Sequence, residues 1–106
     1  DKLIKENPDL IRRFIKASRL GWEDYLTGDP QPAFDLIQEL NPDMPLDKLE
    51  YAHQKMIEYN IVTGNNQIIG SMNSDRWQDF YKMSVELGIY DSEFDYEKAY
   101  TLEFSN

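Results

Sequence analysis

The sequence predicts an all-α protein of about five helices, packed as a single helical unit over residues 1–106. Three observations support this fold class. Apolar residues recur every three to four positions, cap and stop residues stand at the ends of these stretches, and no stretch alternates as a convincing β-strand does. With 106 residues, of which 41% are hydrophobic, the chain is large enough for one modest core.

Each predicted helix rests on its own start and stop signals. The five predicted helices run from Pro8 to about Thr27, from Asp29-Pro30 to Leu40, from Leu46 to about Ile61, from Asp75 to Leu87, and from Tyr96 to Phe104. Asn7 before Pro8 is a typical helix start, and Ser74 and Asp95 are the expected N-caps of the last two helices. Gly28 and Gly88 are the expected stops. Gly21 lies inside the first helix, so it predicts that another backbone approaches closely there.

The connections carry turn residues. Residues 41–45, NPDMP, predict a turn with two prolines, and residues 62–66 predict a loop around Gly64. The segment Thr63-Gly64-Asn65-Asn66 lacks the GxxxxGK[ST] pattern of a phosphate-binding loop, so we interpret it as a plain loop. In Gln67–Gly70, the pair Ile68 and Ile69 is too short to predict a strand.

The charge balance excludes two classes of partner. Twenty acidic residues against eleven basic residues give a net charge of −9 and a pI near 4.4, so the average surface repels nucleic acid and anionic lipid. There is no cysteine, hence no disulfide, thiolate nucleophile or cysteine-based zinc site. No run approaches the ~18 apolar residues of a membrane span, and DKLIKENPD is not a signal peptide. We therefore expect a cytosolic protein, or a mature or excised piece of an exported one.

The candidate chemical groups favour structural roles. His53, the single histidine, has Leu49 and Ile57 four residues away on either side, which favours a packed, hydrogen-bonded histidine over a metal ligand or catalytic base. No serine lies in a GxSxG setting. Paired carboxylates such as Glu23-Asp24 are expected by chance at this composition. We assign no catalytic residue and no metal ligand, and the ligand-binding residues stay unknown.

Three further patterns each have two interpretations. The run from Asp91 to Asp95 alternates as a calcium loop does, but Tyr96 and Leu102 stand where its glycine and glutamate belong, which favours a solvated loop that caps a helix. The basic face of the first helix favours a solvated surface over an anion site; it carries Arg12, Arg13, Lys16 and Arg19. The aromatic residues at helical spacing favour core packing over stacking on a planar ligand; they are Trp22, Tyr25, Trp77, Tyr81, Tyr96 and Tyr100.

Four segments in register carry a resemblance that covers nearly the whole chain. They are NPDLIRRFIKASRLGWEDYL at residues 7–26, the DP…NPD segment at residues 29–43, SDRWQDFYKMSVELGIYD at residues 74–91, and FDYEKAYTLEF at residues 94–104. Together they resemble the C-terminal portion of the NMT1/THI5-like group of solute-binding proteins, which includes receptors for thiamine-precursor pyrimidines and for sulfonates. The matching motif residues are Gly21, Trp22, Gly70, Arg76, Trp77, Gly88 and Thr101, all of them explained as packing, capping or turn positions.

The resemblance implies more than the helices do. It implies an α/β fold of the type 2 periplasmic-binding-protein class, with two lobes, a hinge and a small molecule in the cleft, in which this chain is the helical part that completes the first lobe. The enzyme branch of the group uses a cysteine-rich motif and an early histidine, which this chain lacks, so no enzymatic activity and no cofactor are expected.

The expected function is capture of a small metabolite, a thiamine-precursor pyrimidine or a related compound, by a periplasmic or membrane-tethered protein that delivers it to an ABC transporter permease. Two alternatives stay open. In the first, the chain is the ligand-sensing part of a membrane signalling protein with kinase or diguanylate cyclase parts. In the second, it is a free-standing helical module that binds a partner protein. If residues 8–26 normally cover a sheet, the isolated chain should expose that face and self-associate.

Overall fold

A computed structural model describes residues 1–64 and 68–105. Its elements are α1 (Lys2–Glu6), α2 (Pro8–Thr27), α3 (Gln31–Leu40), α4 (Leu46–Glu58), α5 (Ser74–Glu86) and a short 3₁₀ helix, η1 (Tyr96–Ala99). Five α-helices and no β-strand are present in these described residues, which confirms the all-α prediction. The predicted loop of residues 62–66 and the Gln67–Gly70 segment fall partly outside them, at Asn65, Asn66 and Gln67.

Two compact units make up the chain, residues 1–70 and residues 71–106. The expectation of one packed domain over residues 1–106 stays a prediction. No helix among the described residues is both long enough and apolar enough to cross a membrane.

The first unit is built around α2 and α4, with α1 packed on α2 and α3 packed on α4. Its most buried apolar side chains are Phe34 of α3, which is 3% exposed, and Leu49 of α4, which is 8% exposed. The ends of α2 follow the sequence signals. Asn7 Oδ1 accepts a hydrogen bond from the Leu10 amide at 3.2 Å, and Gly28 N–H donates to the Asp24 carbonyl at 2.8 Å. A Cβ at Gly28 would lie 2.7 Å from that carbonyl, so this stop position requires glycine.

The second unit consists of α5, a turn and η1. Gly88 adopts φ +71°, the left-handed conformation that glycine reaches most easily, and the Ile89 amide donates to the Ser84 carbonyl at 2.8 Å. Gly88 therefore ends α5, as predicted. The Tyr81 hydroxyl donates to the Asp91 carbonyl at 2.8 Å, which ties the turn that follows to the middle of α5.

Apart from shifts of one or two residues at the start of α3 and the end of α5, helix boundaries differ from the predictions at four places. The structure adds α1, a five-residue helix that is too short to show the apolar recurrence from which the other helices are predicted. It ends α4 at Glu58 instead of Ile61, because Asn60 turns left-handed with φ +50°. The N-cap of α5 is Asn73, whose side chain accepts from the Arg76 amide at 2.8 Å; Ser74 is the first helical residue.

The fourth difference is the C-terminal segment, predicted as a helix from Tyr96 to Phe104. Only Tyr96–Ala99 is helical, and it is a 3₁₀ helix in which Asp95 makes no side-chain cap. Tyr100 is extended, with φ −144° and ψ 166°, and the Thr101 hydroxyl accepts from the Glu103 amide at 3.3 Å. A threonine that binds a nearby backbone amide competes with helix formation, which contributes to the early end.

Many large apolar side chains remain exposed. Those at least half exposed are Leu3, Phe14, Leu20, Leu36, Leu40, Tyr51, Tyr59, Ile61, Ile68, Phe80, Met83, Leu87, Ile89, Tyr90 and Phe94. Where exposed apolar side chains adjoin one another, they commonly mark a surface that binds a partner. These side chains are therefore the feature of the fold that bears most directly on function.

Candidate functional site

His53 joins α4 to the end of α2. Its Nε2 lies 2.7 Å from the carbonyl oxygen of Tyr25 and donates a hydrogen bond to it, while the ring is half-buried. Tyr25 belongs to the last turn of α2, where carbonyls lack helical donors. The histidine thus satisfies a helix-end carbonyl, which confirms the predicted packed and hydrogen-bonded role.

An aromatic cluster surrounds this hydrogen bond. The Tyr25 ring meets the rings of His53, Phe34 and Trp22 edge to face, with centroids 4.8, 5.9 and 5.9 Å apart. His53 also meets Phe34 edge to face at 5.7 Å. Burial raises the pKa of the Tyr25 hydroxyl above its usual value. The rings of Tyr25, His53 and Phe34 thus pack on one another within the first unit, whereas Trp22 is 42% exposed at the edge of this cluster, so the predicted core packing is wrong for Trp22.

Two stacked aromatic pairs hold the second unit together. Trp77 stacks parallel on Tyr100 with centroids 4.8 Å apart, and Tyr81 stacks on Tyr96 at 4.7 Å. Because Trp77 and Tyr81 are four residues apart on one face of α5, the two pairs form a ladder between α5 and the segment of η1. We call these four residues the aromatic ladder. All four rings are half-buried and each stacks one face on its partner, so packing within the second unit is confirmed for them.

The environment of the ladder also acts on its outer tyrosine. The pKa of the Tyr100 hydroxyl is raised, first by burial and then by the nearby Tyr96, Glu97 and Asp75. Lys98, on the exposed side, lies with its Nζ 2.9 Å from Oδ2 of Asp95, and this hydrogen bond raises the pKa of the lysine. The shift at Tyr100 thus reflects packing and neighbouring charges, and the shift at Lys98 reflects a surface ion pair.

The acidic segment from Asp91 to Asp95 is a solvated loop, as predicted. All five residues are exposed, and Asp91 Oδ1 accepts from the Glu93 amide at 2.9 Å. The expected capping role of Asp95 is wrong, since its side chain makes no cap to η1. Over residues 1–64 and 68–105, no group of three or more histidine, aspartate or glutamate side chains is placed to hold a metal ion.

The basic face of α2 is mostly solvated. Arg12, Arg13 and Lys16 are exposed, and Arg13 Nε lies 3.0 Å from Oδ2 of Asp9, one turn earlier. Such an exposed i,i+4 pair contributes at most about 0.5 kcal/mol. Arg19 is half-buried. The arrangement matches the solvated surface favoured by the sequence.

A shallow surface depression lies at the start of α4. It is lined by Pro45, Asp47, Lys48 and Tyr51. The Asp47 side chain accepts from the Lys48 amide at 3.0 Å, as helix-start residues do, and Tyr51 is 63% exposed. The lining offers one carboxylate, one amine and one open ring without enclosure, so it does not meet the description of a small-molecule pocket.

The exposed side of α2 is the most distinctive surface of the first unit. Leu10, Phe14, Ala17 and Gly21 recur at spacings of four, three and four residues and so share one face. Leu10 is 40% exposed, Phe14 is 71% exposed, and Ala17 and Gly21 are exposed as well. We call these four residues the α2 strip. No atom lies within 4 Å of where a Cβ on Gly21 would be, so the predicted close approach of a backbone is absent from the described residues.

The remaining motif residues occupy turns and packing positions. Gly70 has φ +73°, a turn conformation suited to glycine. Arg76 is exposed in the first turn of α5, and its amide is the group capped by Asn73. The Thr101 hydroxyl makes the local turn described above. These motif residues thus serve local turns and caps, and the ligand-binding residues stay unassigned.

One known protein is similar over almost the full chain. Riboflavin-binding protein RibY of Chloroflexus aurantiacus is 28% identical over 109 residues, which cover 98% of this chain and 30% of that protein. The chain therefore spans less than a third of its relative's length. No protein-family model matches the chain, and no solved structure matches it. Membership of the NMT1/THI5-like group stays a prediction.

Proposed function

We propose that residues 1–106 form the helical C-terminal part of a solute-binding protein that captures a small planar metabolite. The observation that carries this proposal is the likeness to a protein named for binding riboflavin, which extends over 98% of the chain and matches only 30% of the relative. A likeness of this extent is expected when a chain corresponds to one part of a larger binding protein. The four-segment resemblance to NMT1/THI5-like proteins supports the same class.

The exposed apolar surface gives independent physical support. α2 has half-buried Ile11 and Ile15 on one side and the exposed α2 strip on another. A helix with apolar residues on two sides is typical of a position between two packed layers. In a two-lobed binding protein, such a helix would lie between the rest of this unit and another part of its lobe, and the ligand would lie in the cleft between the lobes.

The proposed mechanism is hinge closure. The complete protein binds its ligand between two lobes, and the closed form becomes the population that a membrane partner recognises. On this proposal the protein is extracytoplasmic and not an enzyme, its ligand is a thiamine-precursor pyrimidine or related planar compound, and its partner is an ABC transporter permease. A sensor role in a membrane signalling protein would use the same binding step with a different partner.

Ligand binding by the complete gene product tests the proposal. Purified protein is titrated with riboflavin, 4-amino-5-hydroxymethyl-2-methylpyrimidine and taurine, and binding is measured by calorimetry and by the shift in Tm. We expect one planar compound to bind with a Kd below about 10 μM and to raise Tm, since a ligand that binds only the folded state stabilises it. If all three leave Tm unchanged at millimolar concentration, the proposal is contradicted.

A free-standing interaction module is the rival function, favoured by the same exposed apolar side chains. The two functions predict different coding sequences around residues 1–106. If the reading frame that contains residues 1–106 also encodes an upstream α/β region, a solute-binding protein is supported; if it encodes these helices alone, the interaction module is supported.

A further inference from the structure

We propose that another segment of the same polypeptide, from outside residues 1–106, packs against the α2 strip, and that its backbone approaches α2 at Gly21. This inference rests on the proposed function, because it requires a longer parent chain. It assigns a role to a glycine that nothing within the described residues explains.

Glycine at position 21 lowers the stability of α2. It lies in the interior of the 20-residue helix α2, where glycine is the poorest helix former after proline. Its position is exposed, and an added Cβ would meet no atom within 4 Å. Gly28 provides the contrast, since a Cβ there would meet the Asp24 carbonyl. Local structure therefore explains Gly28 and not Gly21.

The neighbours of Gly21 indicate what approaches it. Leu10 and Phe14 supply large exposed apolar side chains at one end of the strip. At the other end, Ala17 and Gly21 have small side chains or none, so the helix backbone is accessible there. Small residues on a helix allow another backbone to come close, while the larger ones pack beside it. The strip carries no charged residue, so its partner surface is expected to be apolar as well.

The size of the strip indicates that the occupant is covalently linked. Full burial of Leu10 and Phe14 together changes an equilibrium constant by roughly 10² to 10⁴-fold. A separate molecule bound at micromolar Kd needs about 10⁶-fold, before the loss of translational and rotational freedom is counted. A segment of the same chain avoids most of that loss. The similar riboflavin-binding protein has 70% of its length outside the matched region, so a parent chain of that size would supply such a segment.

Cysteine protection gives a direct test, because residues 1–106 contain no cysteine. Gly21→Cys and the control Lys16→Cys are made in the 106-residue chain and in the complete gene product. Lys16 is exposed on a different face of the same helix. Maleimide labelling rates at each position are followed by peptide mass spectrometry, which separates these sites from any cysteine elsewhere in the complete protein.

We expect Gly21→Cys to react at a rate similar to Lys16→Cys in the 106-residue chain, and at least tenfold more slowly than Lys16→Cys in the complete protein. Equal rates at the two positions in the complete protein would overturn the proposal, and so would a protection that is lost on dilution, because a second copy would then be the occupant. If Gly21→Cys prevents folding of the complete protein, Phe14→Cys replaces it, with the same expected protection and the same overturning result.

A stability comparison supplies a second readout. Gly21→Ala should raise Tm or helicity by circular dichroism in the 106-residue chain, because alanine favours the helix and the space is open. Gly21→Leu should lower the Tm of the complete protein by several degrees more than Lys16→Leu does. Equal effects of the two leucine variants would contradict the proposal. Neither readout uses a ligand, so failure to bind riboflavin or a pyrimidine leaves this test intact.

Discussion

At the scale of single residues, His53 shows how a polar group is placed inside a small core. Its Nε2 donates to the Tyr25 carbonyl at 2.7 Å, and its ring packs against Tyr25 and Phe34. The hydrogen bond joins two helices that are distant in sequence. The histidine therefore contributes both to packing and to the termination of α2.

Replacing His53 should destabilise the first unit. His53→Ala removes the donor to the Tyr25 carbonyl and opens space beside Phe34, so we expect a loss of about 2–4 kcal/mol in the free energy of unfolding. Urea denaturation followed by circular dichroism measures this. Gln54→Ala, at the exposed neighbouring position, is the matched control and should change stability by less than about 0.5 kcal/mol. Similar losses for both variants would contradict the assigned role.

The raised pKa values of Tyr25 and Tyr100 predict a loss of stability at high pH. The fold favours the neutral phenol, so this contribution is complete below the unfolded pKa of about 10 and is lost as pH rises through the higher folded pKa. Urea denaturation at pH 9 and pH 11 measures the difference. Tyr25→Phe and Tyr100→Phe should each reduce the loss between these pH values, whereas Tyr51→Phe, which alters a ring 63% exposed, should not.

At the scale of elements, cap chemistry explains which boundaries the sequence predicts well. The bounds of α2 agree with the prediction, because Asn7-Pro8 and Gly28 act within four residues of the helix they delimit. The predicted end of α4 at Ile61 is too late, because Ile61 continues the apolar spacing while Asn60 turns the backbone left-handed. Periodicity alone does not show that turn, although asparagine is a residue that tolerates it.

The prediction of a C-terminal helix is wrong for a different reason. Tyr96 and Tyr100 have helical spacing, but each ring stacks on a residue of α5, and the backbone between them tightens to 3₁₀ geometry. Partner rings 15 or more residues away in the chain decide this conformation, so a local pattern does not contain it. Ligand-binding residues are unpredicted for a similar reason, since capping, turn and packing signals say little about groups that only tertiary structure brings together.

Helix α5 allows its N-cap to be tested against the neighbouring serine. Asn73→Ala removes the acceptor for the Arg76 amide, so we expect a loss of about 1 kcal/mol in the free energy of unfolding. Ser74→Ala, the control at the first helical position, should change it by less than about 0.5 kcal/mol. Denaturation curves of the two variants decide between them; a larger loss for Ser74→Ala would show that the cap lies one residue later.

At the scale of the whole molecule, the exposure of many apolar side chains is the main influence on stability. Among described residues, the core contains two buried apolar side chains, Phe34 and Leu49, whereas Phe14, Leu40 and Leu87 are each more than 65% exposed. Burial of apolar surface is the main favourable term in folding. The 106-residue chain is therefore expected to have low stability by itself and to gain much from whatever covers these faces.

Weak self-association should follow for the isolated chain. We expect a weight-average mass that rises with concentration above about 100 μM, measured by light scattering, together with binding of an apolar dye such as ANS. Phe14→Glu and Leu40→Glu should reduce both signals. A constant monomer mass over this range, without dye binding, would contradict the expectation.

The two tryptophans provide separate reporters of the two units. Trp22 lies in residues 1–70 and Trp77 in residues 71–106, where it is stacked on Tyr100. In the Trp22→Phe variant, indole fluorescence follows only the second unit, and in the Trp77→Phe variant only the first. We expect the two emission transitions in urea to have different midpoints if the units melt separately, and one shared midpoint if they unfold cooperatively. The aromatic ladder thus supplies an optical probe already present in the chain, with which the thermodynamic coupling of its two halves is measured without a foreign label.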